Sequence, residues 1–149
     1  LTPYTITIPA GTYTLNSELP IGDGFIDIYL VGAGQELTTI KQGSTGCSGS
    51  RTQRVFNIGD PYSSNVVVTI SELTISNGAG QGTGGGAIIF GGVNHYLTLN
   101  NVTISDNCAY GSSKGGGIAL IPEGNLTINN STFSNNFPPS SLNAKCLLR

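Results

Sequence analysis

The chain has 149 residues, a formal net charge of −2, 9% charged residues and 22 glycines, which is the size of one domain with a continuous core. Its six basic residues (Lys41, Arg51, Arg54, Lys114, Lys145 and Arg149) are scattered, so the concentrated positive surface that nucleic acid or acidic lipid requires is absent from the pattern. No apolar run approaches the roughly 18 residues of a membrane span, and no membrane insertion is expected.

In chain order, the first predicted strands lie in YTITIPAGTYTL, where Ile6, Ile8, Tyr13 and Leu15 alternate with polar residues. FIDIYL (25–30), TTIKQG (38–43) and RVFNI (54–58) follow as further strands. Stretches 43–50, 59–65, 78–86 and 108–117 are rich in Gly and Ser and read as loops.

The second half is a repeat. VTISELTISN (68–77), LTLNNVTISD (97–106) and LTINNSTFSN (126–135) each begin 29 residues after the last. A fixed period of this size marks an architecture whose units bury their apolar faces only against neighbours. Within each copy the alternation slips by one residue at Glu72, Asn101 and Asn130. One extra residue at a fixed place is a bend, and Asn tolerates the left-handed backbone that a sharp bend needs. Each copy therefore reads as two short strands meeting at a corner, with Asn101 and Asn130 in structural roles. A third strand is expected in GGGAIIF (84–90) and GGGIALI (115–121), glycine clusters set 31 residues apart. Three strands per coil describe an all-β chain, a parallel β-helix or β-solenoid. About five coils at roughly 4.8 Å each make a rod of about 24 Å. Residues 1–136 form this unit, and 137–149 a tail that leaves the pattern at Pro138 and Pro139.

From about residue 5 to residue 136, TITIPAGTYTL, IYLVGAGQELTTIKQG, RVFNI, LTISNG…GGGAI and LTLNNVTISDN…GGGI resemble bacterial surface proteins that carry a CSLREA motif before a β-helix. STFSNN and the GGAI of 85–88 are also similar to the GGAI and FxxN repeats of chlamydial polymorphic outer-membrane proteins. The resemblance implies a right-handed parallel β-helix, export, and surface display or adhesion. It transfers no catalytic residue, and the CSLREA motif itself would lie upstream of Leu1. The chain holds no Met, which reads as a processed or excised piece of something longer. The scarcity of charge and the wealth of Ser, Thr, Asn and Gly fit a secreted or cell-surface location.

Parallel β-helices include pectate lyases and polygalacturonases, whose chemistry needs carboxylates converging on one face. Here the acids are Glu18, Asp23, Asp27, Glu36, Asp60, Glu72, Asp106 and Glu123, and the period stacks Glu72 and Asp106 over asparagines. No rung joins two carboxylates, so no catalytic residue, metal site or cofactor is assigned. Gly80, Gly82 and Gly85 satisfy GxGxxG, but a strand follows instead of the helix that a dinucleotide site requires. His95 precedes a strand without ligand-spaced neighbours and reads as a solvent-facing loop residue. Cys47, Cys108 and Cys146 are an odd count at loop or tail positions; one disulfide plus a spare, an intermolecular bond and three inert thiols are the alternatives. Cys108 with Cys146 is the pairing to examine first, because the tail must pass near the last coils. Asn101, Asn125, Asn129 and Asn130 begin N-x-[ST] triplets that an Asn/Thr-rich repeat produces by chance.

Two outward columns of hydroxyls stand out: Thr69, Thr98 and Thr127, and Thr74, Thr103 and Thr132. They read as ordinary β-forming residues on a wet face, as O-glycan sites, or as an ordered surface for ice or a crystalline polysaccharide. The expected protein is a non-catalytic extracellular β-solenoid with a structural or adhesive role, self-associating into an oligomer or filament through uncovered ends. A glycan- or ice-binding module is the first alternative and a pectate-lyase-like enzyme the second.

Overall fold

The computed structural model describes residues 2–22, 26–43, 53–59, 65–110 and 115–137. Among them the chain is all strand and connection, with no helix. The strands are β1 (Tyr4–Thr7), β2 (Gly11–Leu15), β3 (Leu19–Ile21), β4 (Ile26–Val31), β5 (Thr38–Gln42), β6 (Phe56–Ile58) and β7 (Val66–Ser76), followed by β8 (Ala79–Gln81), β9 (Ile88–Phe90), β10 (Tyr96–Ser105), β11 (Cys108–Tyr110), β12 (Ile118–Leu120), β13 (Asn125–Asn129) and β14 (Thr132–Ser134). Every pairing between these strands is parallel. One ladder runs β1-β4-β7-β10-β13, with β2, β5 and β14 joined alongside it; β3-β6-β9-β12 and β8-β11 are separate sheets. Parallel neighbours need long crossings, and here strands of the other sheets make those crossings. The architecture is compatible with a β-solenoid.

The period of the sequence becomes a spatial register. Val68 pairs with Leu97 and Leu97 with Leu126, while Ile75 pairs with Ile104 and Ile104 with Phe133. Each step in those columns spans 29 residues, and a slip of one residue would turn the apolar side chains to water. The inner faces of β7 and β10, with Phe56, Ile58, Ile88 and Phe90 opposite, form one buried core.

The corner residues have the expected backbone. Glu72, Asn101 and Asn130 carry φ of 57°, 52° and 47°. A second left-handed column follows at Asn77, Asp106 and Asn135. The corner does not end the strand, however. β7 and β10 pass through it, hydrogen-bonded on both sides, and only the last copy divides into β13 and β14. A single unpaired residue kinks a ladder without ending it.

The glycine clusters are offset by one residue from the predicted alignment. Ile88 pairs with Ile118, an offset of 30, and the Gly85 amide donates to the Gly115 carbonyl. Gly85 and Gly115 share φ near +70°, and a Cβ on either would meet a backbone carbonyl within 2.3 Å. The tight corner, rather than the count of glycines, fixes which residues stack. Two segments expected to be loops also hold short strands, β8 and β11. Cys108 is consequently a buried strand residue, not a loop residue.

His95 departs from expectation too. It is fully buried, its ring set against the backbone of Gly59. Buried polar groups elsewhere bind successive strands and connections together. Arg54 donates to the carbonyls of Gly84 and Gln81 and pairs with Glu18 at 3.5 Å, and Glu18 also accepts from Asn57. The Asn107 amide donates to the Ser105 carbonyl and to Asn136 Oδ1, while its Oδ1 accepts from the Gly78 amide. Such satisfied networks fix a register as well as contributing stability.

Candidate functional site

Three surfaces collect the residues that sequence reasoning singled out. The first is the outer face of the main ladder. Tyr29, Thr69, Thr98 and Thr127 stand in one column, strand upon strand. Beside it, Ser71, Asn100 and Asn129 form another, with Asn129 donating to Asn100 at 2.8 Å. Alternation places these side chains outward while Val68, Ile70, Leu97 and Leu99 point in.

The second surface lies round the corner. Thr74, Thr103 and Thr132 continue a column that begins at Thr12 and Thr39, five rungs in all. This column is not uniformly open. The segment between β4 and β5 crosses it, with the Gly32 amide on the Ser71 carbonyl and the Gly34 amide on the Glu72 carbonyl, both at 2.9 Å. A Cβ at Gly32 would lie 2.1 Å from the Glu72 carbonyl oxygen, so only glycine permits the crossing. Gln35 then spans two rungs: its backbone carbonyl accepts from Thr74 and its side-chain oxygen from Thr103, each at 2.7 Å.

Between this segment and the corner column lies a polar cleft of about 760 Å³, lined by Gln35, Glu36, Leu37, Glu72, Asn101 and Thr132 among others. The Asn101 amide donates to Glu72, which orients that carboxylate. Two acids that the period keeps on separate rungs thus share one cavity, because the segment between β4 and β5 folds over the corner. Nothing in the 29-residue pattern announces this; the pair Gly32 and Gly34 was the available sign of a close backbone crossing. Among the described residues no three His, Cys, Asp or Glu side chains form a group able to hold a metal ion.

The third surface is the open end at β1–β3. Tyr4, Ile6, Tyr13 and Leu19 are exposed there, although Tyr4 and Ile6 belong to the inner columns of Ile28 and Leu30. A cavity of about 620 Å³ opens at this end, with Ile6, Ile8, Leu19, Ile21 and Phe56 in its apolar lining. At the opposite end of the columns, Ile128 and Phe133 are exposed in the last described strands.

Among the remaining candidates, Asn101 and Asn130 occupy the corner. Cys108 is disulfide-bonded; Cys47 and Cys146 lie outside the described residues, as do Asp23, Asp60 and most of the predicted tail. Asn107 and Asn136 were missed by sequence reasoning. Their equal position in successive repeats, offset by 29, was the signal that could have found them.

Fold and surfaces together define an all-β, parallel-stranded chain built by stacking. No family model, curated protein or solved structure matches it.

Proposed function

We propose that the chain is a right-handed parallel β-helix of about five coils with three strands per coil, and that it serves outside the cell as a non-catalytic structural or adhesive element that associates head to tail. Right-handedness follows the near-universal hand of parallel crossings, and five coils match the five members of the ladder from β1 to β13. The observation that carries the self-association reading is the open end at β1–β3. Tyr4, Ile6 and Tyr13 there are terminal members of columns whose other terminal members are Leu126, Ile128 and Phe133. A second copy, set with its β13 beside β1, continues every column and pairs the free strand edge. Such a heterologous contact does not close and therefore grows into a filament.

The test is concentration-dependent light scattering and electron microscopy, with cross-linking of a Thr5→Cys/Thr127→Cys variant. The register that continues the columns brings those two positions together between copies. A ladder of cross-linked oligomers is expected. Monomers at every concentration, with neither fibres nor cross-links, would refute the reading.

A second reading is favoured by the columns of hydroxyls: recognition of a glycan or of ice. Because Gln35 occupies Thr74 and Thr103, a flat lattice has free access only to the face of Thr69, Thr98 and Thr127. Replacing Thr98 and Thr127 by Lys should then remove ice or polysaccharide binding and leave the circular dichroism spectrum unchanged.

A further inference from the structure

We propose that the cleft between the β4–β5 segment and the corner column is a binding site for a neutral saccharide. The size of the cleft falls in the range of small-ligand sites, about 300–1,000 Å³. The chemistry of its lining defines the ligand. Gln35 uses its side-chain oxygen on Thr103 and so presents its NH₂ group as two donors. Glu72 receives Asn101 on one oxygen and leaves the other to accept. Glu36 is exposed, and Thr132 offers a hydroxyl that makes no side-chain hydrogen bond among the described residues. The lining thus offers both donors and acceptors. A sugar hydroxyl is donor and acceptor at once, and it is matched by amide and carboxylate groups side by side.

Charge and apolar contact narrow the class. The cleft carries two carboxylates and no basic residue in its described lining. Uronate, sulfate and phosphate groups are therefore repelled, whereas the hydroxyls of an uncharged sugar donate to the carboxylates. Leu37, 58% exposed at the same rim, supplies an apolar contact for the C–H face of the ring. The walls are preorganised. The backbone at Gly32 and Gly34 is tied to the corner, and Gln35 is held by both threonines, so little ordering remains to oppose binding.

The site lies round the corner from the flat face of Thr69, Thr98 and Thr127, and it depends neither on that reading nor on self-association. The experiment is isothermal titration with neutral hexaoses of glucose, xylose and N-acetylglucosamine, with trigalacturonate as the acidic control. Saturable binding of at least one neutral hexaose is expected, weakened at least about tenfold in Glu36→Ala and in Thr132→Val. Neither variant removes a side-chain hydrogen bond within the described fold, and unchanged thermal melting confirms that. Preference for trigalacturonate, absence of neutral binding up to millimolar concentration, or unaltered affinity in both variants would overturn the assignment. A Thr127→Lys variant separates the two surfaces. If it alone abolishes binding, the flat column holds the sugar and the cleft does not. Loss of filaments without loss of binding leaves this site standing.

Discussion

At the scale of single residues, the left-handed backbone positions carry the clearest message. Nine non-glycine residues among those described have positive φ, and six of them are Asn. Asn reaches this region at low cost because its short side chain bonds locally. Glu123 does not share that advantage. It follows Pro122 with φ of 76°, at the place in a tight turn where Gly or Asn is normally required. The corresponding turn one repeat earlier uses Asn94, at φ 58°. Glu123→Asn should therefore raise stability by about 0.5 kcal/mol and the melting temperature by about 1–2 °C, read by calorimetry. The corner asparagines were legible in the sequence because they recur. His95 was not, since its repeat-mates are Val66 and Gly124 and no second histidine marks the position. Val66, buried one period upstream, was the available sign that position 95 faces inward.

At the scale of elements, period-two alternation located the principal strands, and the 29-residue period located their register. What it could not locate were β8 and β11. Strands of three residues with glycine and alanine carry too little alternation to stand out from a loop. The third strand was found but misaligned by one residue, because a run of three glycines offers several equivalent alignments. Only backbone geometry at Gly85 and Gly115 distinguishes them. The polar cleft was illegible for a related reason: it is made by a non-repeating segment, and periodicity is silent about what occurs once. Within an element, rungs should differ in cost. Ile104 is fully buried between Ile75 and Phe133, while Phe133 is 38% exposed. Ile104→Ala should cost about 3–4 kcal/mol and Phe133→Ala about half of that despite the larger side chain, as read from urea midpoints. Equal losses would contradict a column whose burial declines towards its end.

At the scale of the molecule, burial is graded along the stack. β7 and β10 alternate fully buried with half-exposed residues, whereas β1 and β14 are exposed throughout. In a chain whose units touch only their neighbours, stability is a sum of nearest-neighbour contacts, and the outermost units have one neighbour fewer. Amide hydrogen exchange should accordingly be slowest in β7 and β10 and fastest in β1–β3, with protection at the open end rising if copies associate. Uniform protection across all strands would mean a single cooperative block instead.

The shared columns of Val68, Leu97 and Leu126 have one more consequence. For most folds, the gain or loss of 29 consecutive amino acids is ruinous. Here, duplication of a segment such as 97–125 merely translates everything downstream by one layer, and each displaced side chain meets the kind of partner it left. Length is thus a quantity that this molecule could vary in its ancestry by whole layers.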